Sequence, residues 1–439
     1  MPSEMLTAGQ ALAEMETGRL TSVDLVLACL DRIDAREPQV KAWLHVDRER
    51  ALALAAERDL ERAAGKIRGP LHGLPFGTKD VIDVADMPCT HNSPLHQDRV
   101  PVDDAACVQL LRTAGAIPLG KLDTVEFAAM GRLAKSTNPH RATHTPGGSS
   151  SGSGAAVGDL HVPLAFGTQT GGSVMRPASY CGTYAMKPTW SVVNREGAKM
   201  FAPSLDTIGW YAREVEDLRL VAEASGLPSS DRPARSVSAL RIALCHTPYR
   251  DTLRPGAEDA LRRATDALLN AGATVEVHEL PPTFDGLDAA KDTIMRGEGR
   301  AAFMPHLKTH GDGLHADLRS HAENRTGISP LALKAALDYA AHARTVFDGH
   351  YRGFDAVLSY GAVGEADEGL SSSGNSVMNS LWTLLHVPVI GVPSGDGPTG
   401  LPIGVQLIGF RFADGELLDV AAAAAPVIDP WHGRVRVPG

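Results

Sequence analysis

Two glycine–serine elements hold the residues of this sequence with the clearest chemical potential. The first is Gly147-Gly148-Ser149-Ser150-Ser151-Gly152-Ser153-Gly154, and the second is Gly167-Thr168-Gln169-Thr170-Gly171-Gly172-Ser173. A Gly/Ser tract is ordinarily a solvated linker. Here the apolar helix pattern Ala155, Ala156, Val157 and the apolar run Val162 to Phe166 follow at once, which puts the loop inside a packed unit. A phosphate cradle does not fit. The P-loop pattern needs Lys where Ser153 stands, and the dinucleotide pattern needs a third Gly where Val157 stands. Gly148 to Gly152 formally matches GxSxG with Ser150 as nucleophile, but the segment before it, 138–146, reads as a loop and not as the strand that a nucleophile elbow requires. The seventeen histidines are scattered and give no Ser–His–Asp arrangement. His140 and His144 have the spacing of a helical metal pair, but Pro146 and the surrounding composition argue against a helix there.

The elements around these loops read as an α/β protein. Thr21-Ser22-Val23-Asp24 resembles a capping box, and Val23, Val26, Leu27, Leu30 and Ile33 repeat at helical spacing after it. Residues 46–65 continue as an Ala-rich, charged helix. Leu74 to Val84 reads as a strand and its edge, Cys107 to Gly115 as a helix, and Ala116 to Gly120 as a short buried strand. Helices are expected at about 256–271 and 330–348, with apolar strand-like segments at Ala356–Leu358, Val387–Val392 and Ile403–Ile408. Alternation of helix and strand predicts an α/β sheet. The expected organisation is a helical segment at 1–65, a catalytic core at 66–220, a variable pocket-shaping region at 221–353, and a C-terminal part of the core at 354–439.

Residues Gly147 to Gly182 resemble the amidase signature family, which shares a Gly-Gly-Ser-Ser element and a Gly-Thr-x-x-Gly-Gly-Ser element at fixed separation. Further stretches extend the likeness: Gly73-Leu74-Pro75 through Lys79-Asp80, Gly115-Ala116 through Lys121 with Glu126-Phe127, Ser204 to Gly209, and Gly400 to Leu407. Together they cover roughly residues 5–220 and 354–425, whereas 228–350 matches poorly. The resemblance implies a mixed central β-sheet covered on both sides by helices. It also implies a triad of Lys79, Ser149 and Ser173, with a cis peptide bond before Ser149. A serine hydroxyl is a weak nucleophile that needs a base, and a lysine can serve only when neutral. Burial depresses a lysine pKa, and the apolar flanks Leu74–Phe76 and Val81–Ile82 suit burial. Asp80 should point to the opposite face of its strand. Ser149 would relay the proton, and Ser150 and Ser151 are expected to be turn serines. Backbone N–H groups of Thr170, Gly171, Gly172 and Ser173 would form an oxyanion hole. The implied reaction is C–N bond hydrolysis of an amide, with carbamates, anilides and esters as variations. The alternative is an amidotransferase component that releases ammonia for a partner protein.

Three departures from the family pattern stand out. Gln169 replaces the common Asp, Ser151 replaces Gly, and Arg176 follows Ser173 by three residues where many members have arginine at two. Arg176 and Asp206 are expected as structural ion partners beside the site. Composition narrows the rest. The net charge of −10 without a basic stripe argues against nucleic acid. No stretch of about 18 apolar residues is present to span a membrane. Five dispersed cysteines without CxxC, and no secretory signal pattern, point to a reduced cytoplasmic protein without cofactor or metal. The expected ligand is a small amide or carbamate, neutral and fairly apolar, and a homodimer is left open.

Overall fold

The computed structural model describes residues 2–230, 233, 235–434, 436 and 438. Eleven strands form one mixed sheet: β1 Trp43–Val46, β2 Pro75–Lys79, β3 Ile117–Leu122, β4 Leu164–Gln169, β5 Tyr184–Lys187, β6 Thr207–Ala212, β7 Arg241–Leu244, β8 Thr274–Val277, β9 Ala356–Tyr360, β10 Val389–Asp396 and β11 Pro402–Ile408. Their order is β1-β3-β2-β4-β6-β5-β10-β11-β9-β7-β8. β2 runs parallel to β3 and β4, whereas β6 enters antiparallel between β4 and β5. Every residue of β2, β3, β4, β5, β6, β9 and β11 is buried. Such strands need cover on both faces, which explains why they read as continuous apolar runs and not as alternating ones. The flanking helices supply that cover, and one large apolar cluster runs from Ala8 to Ile428.

Local signals place many boundaries. Thr21 and Asp24 form the reciprocal cap of the helix Ser22–Val40. Its buried stripe includes Leu25 and Cys29, while Leu27 is 42% exposed, so the apolar face is rotated from the expected one. The helix expected at 46–65 begins at Arg48, capped by Asp47, because Trp43 to Val46 forms the edge strand β1 against β3. Ser329 and Pro330 open the helix Pro330–His350.

The stretch 228–350 adds to the same sheet. β7 and β8 pair in parallel with the helix Ala257–Asn270 between them, and β7 pairs with β9. The long helix Leu287–His310 brings Phe303 into a second small core with Phe127 and Phe201. Among the described residues no helix is long and apolar enough to cross a membrane.

Candidate active site

The sheet delivers three segments to one place. β2 ends at Lys79, β4 leads into the turn that carries Ser173, and the loop with Ser149 precedes the helix Ser151–Gly158. Adjacent parallel strands β2 and β4 hold the first two in register, pairing Thr78 with Phe166. The Gly/Ser loop is stitched to β4 by its own hydroxyls. Ser150 Oγ accepts from the Thr168 N–H at 3.2 Å and donates to the Thr168 carbonyl at 3.1 Å, and Ser153 Oγ donates to the Phe166 carbonyl at 2.8 Å. The Ser150 N–H donates to the Ser173 carbonyl at 3.3 Å, joining the two serine loops directly. Ser151 Oγ donates to the Gly147 carbonyl at 2.8 Å. The GxSxG serine Ser150 is therefore fully buried and committed to backbone.

Lys79 is fully buried, and its Nζ lies 2.7 Å from Ser149 Oγ and 2.8 Å from Thr168 Oγ1. Asp80 turns away: one oxygen sits 3.2 Å from Lys121 Nζ, and the other accepts from the Thr90 N–H and hydroxyl. Lys79 forms no ion pair among the described residues. Burial pushes its pKa well below the ordinary lysine value, against a weaker upward pull from Asp206. The peptide bond from Gly148 to Ser149 is cis. Ser149 is 5% exposed and Ser173 is 9% exposed, so both hydroxyls face a nearly closed space.

The turn at 170–173 is braced on two sides. Thr170 Oγ1 donates to Asp206, which also accepts from the Phe201 and Ala202 N–H groups at 2.6 and 2.9 Å. Burial raises the Asp206 carboxyl to about 6, opposed by these hydrogen bonds and by Arg195. Gln169 Oε1 accepts from the Val174 and Met175 N–H groups, at 2.8 and 3.0 Å. Gln169 Nε2 donates to Thr383 Oγ1 at 2.9 Å, and Thr383 Oγ1 donates to the Gly171 carbonyl at 2.7 Å. A Cβ on Gly172 would sit 2.5 Å from Asn379 Oδ1, so only glycine fits there. The N–H groups of Thr170, Gly171, Gly172 and Ser173 have no acceptor among the described residues.

One expectation is revised. Arg176 and Asp206 are not ion partners. Arg176 donates to the Gly148 carbonyl, to the Gly374 carbonyl at 2.7 Å and to Ser373 Oγ at 3.2 Å, so it clamps the serine loop to the 371–376 loop. Gln169 is an amide bracket that uses both ends, which a carboxylate could not do. Sequence reasoning also missed Thr383 and Asn379, on the helix Val377–Leu384. The polar residues Asn379, Ser380 and Thr383 within an apolar-flanked helix, two of them four apart, were the available signal.

A family model for amidases matches residues 24–308. The A-type subunit of glutamyl-tRNA(Gln) amidotransferase from Chloroflexus aggregans is 33% identical, over 98% of this chain and 97% of its own length. The peptide amidase of Stenotrophomonas maltophilia superposes with a TM-score of 0.83 at 28% identity, covering 99% of this chain and 98% of its own. A chain from a vestigial protein complex tied to the evolutionary origins of an s-triazine catabolic enzyme gives a TM-score of 0.86 at 26% identity, over 98% of this chain and 100% of that one. By its fold, its ordered motifs and these relatives, the chain belongs to the amidase signature family of C–N hydrolases.

Proposed function

We propose that the chain hydrolyses an amide C–N bond through an acyl-enzyme on Ser173, with Lys79 as base acting through Ser149. The observation that carries this reading is the buried Lys79, free of any carboxylate partner among the described residues and 2.7 Å from Ser149 Oγ. A lysine kept neutral by burial has a lone pair to accept a proton. As Ser173 Oγ attacks the carbonyl carbon, its proton passes to Ser149 Oγ, and the Ser149 proton passes to Lys79 Nζ. The carbonyl oxygen takes up the negative charge within reach of the N–H groups of Thr170, Gly171, Gly172 and Ser173. Collapse breaks the C–N bond, and the proton returns through Ser149 to the departing nitrogen. Water then attacks the acyl-enzyme by the same route in reverse. Carbamates and anilides differ only in the groups flanking the carbonyl and use the same steps.

A second reading draws support from the curated relatives, which include A-type amidotransferase subunits matched over nearly their full length. In that role the chain would release ammonia from glutamine for a partner protein. Glutamine-dependent activity that needs a copurifying partner favours it; hydrolysis of simple amides by the chain alone favours the first.

A fluorophosphonate probe tests the nucleophile. The expected adduct is on Ser173, mapped by peptide mass spectrometry and absent from Ser173→Ala. An adduct on Ser150, or none, would contradict the assignment.

A further inference from the structure

We propose that an open cavity of about 310 Å³, between the loop bearing His91 and His96, the Gly197–Lys199 segment and the helix Leu287–His310, binds a small carboxylate-type anion, with His96, Lys199 and His306 as its donors. No part of the proposed hydrolysis uses these residues. Three imidazoles meet here around Phe127. The His91 and His96 rings are 5.1 Å apart, His96 and His306 are 5.3 Å apart, and Phe127 stands 5.6, 5.6 and 5.0 Å from the three in turn. Lys199 adds an ammonium held 5.2 Å over Phe303, with a single hydrogen bond, to the Ala302 carbonyl at 3.1 Å.

The donors in this cavity outnumber the acceptors. Lys199 has no ion pair among the described residues. His96 Nε2 is buried without a hydrogen-bond partner, and no hydrogen bond engages the His306 ring among the described residues. Asp83 is the one carboxylate among the described lining residues, and both its oxygens are taken by Arg99 at 2.6 Å each. The charge balance points the same way. Burial first, and then the nearby Arg99 and Lys199, push the imidazole pKa values down, that of His306 to about 4. Burial lowers the pKa of Lys199 as well, against an upward pull from Asp206, and a bound anion would offset that cost. A cavity with an ammonium that has no ion pair and with unengaged imidazole nitrogens is complementary to an anion, and a carboxylate can accept from an ammonium and two imidazoles at once. The same rings do not form a metal-ligating group among the described residues.

The location gives such an anion a way to matter. Ala198 and Lys199 also wall a narrow void lined by Thr168, Thr170 and Asp206. Thr168 holds Lys79, and Thr170 begins the turn of Ser173. The anion can come from two sources with this chemistry. It is either the acidic end of a substrate or a free carboxylate such as the acid released by amide hydrolysis. An acidic substrate would replace the neutral, apolar one that the sparse basic residues near the sequence motif imply.

The test uses the full-length protein carrying labelled histidine, titrated with glutarate and followed by NMR, with matched sodium chloride as control. Saturable shifts of the His96 and His306 ring signals are expected, moving toward the protonated form. Lys199→Gln should weaken binding at least about tenfold, and Lys199→Arg should restore it. No saturable shift, or a shift kept unchanged in Lys199→Gln, would overturn the proposal. This readout needs no turnover, so it stands apart from the reading of Ser173. A kinetic arm then separates the sources. If succinanilic acid is hydrolysed in preference to its methyl ester, and Lys199→Gln removes the preference, the site reads the substrate. If glutarate binds but the two anilides are treated alike, the site takes a free acid.

Discussion

At the scale of single residues, the account turns on charge state. Lys79 is next to an acidic residue in sequence and yet has none as partner, because alternate side chains of β2 face opposite ways and Asp80 is consumed by Lys121 and Thr90. That separation was legible from the strand pattern, whereas the choice of Ser149 and Ser173 over Ser150 came from the family resemblance. The true partner of Arg176 was not legible. A guanidinium that serves carbonyls leaves no matching acid in the sequence to find. The lowered pKa of Lys79 fixes the sign of two pH effects. Amide hydrolysis should rise with pH as Lys79 loses its proton, and Lys79→Met should abolish that limb of the kcat/KM profile. A profile of unchanged shape in the variant would assign the titration to another group. For stability, the unfolded chain binds a proton that the folded lysine does not, so the Lys79 contribution improves as pH rises toward the ordinary lysine value.

At the scale of elements, the site depends on a helix distant in sequence. Val377–Leu384 reaches the turn at 170–173 through Thr383, which links Gln169 to the Gly171 carbonyl. Thr383→Val keeps the volume and removes both bonds. It should cost about 1–3 kcal/mol, because it leaves two buried polar groups unpaired. If the bracket also positions the turn, kcat should fall about tenfold or more at nearly constant KM. Loss of thermal stability with kcat unchanged would reduce Thr383 to a packing role. Some strands were readable as apolar runs bounded by Gly and Pro, as in β3, β10 and β11, whereas β5, β6, β7 and β8 were not anticipated. Their order was not. The insertion of β6 between β4 and β5 follows from long-range pairing that no local pattern encodes. The four-residue edge strand β1 was not anticipated, and only its last residue was assigned to the helix after it, since Trp43 to Val46 is too short to show a period.

At the scale of the molecule, the segment least readable in sequence is structurally continuous with the rest. β7 pairs with β9, the helix Ala257–Asn270 packs on β9, β10 and β11, and Phe347 meets Trp382 at 6.1 Å between ring centroids. Joining residues 228 and 351 through a short linker should therefore leave no cooperative unfolding transition by calorimetry. A retained sharp transition would show instead that 228–350 is a separable insert. The family match runs through residue 308, so it takes in most of a stretch that was expected to match poorly. The segment has two roles. It closes the sheet with β7 and β8, and it also carries Phe303 and His306 to the cavity beside Phe127.

The most direct test of the central claim is the hydrolysis of a matched amide and ester by Lys79→Ala. With Lys79 as the base that works through Ser149, amide kcat/KM falls about 10²–10⁴-fold, and the ester, whose leaving group needs less help from a proton, falls much less. Small and equal losses on both substrates would contradict it and place the base elsewhere.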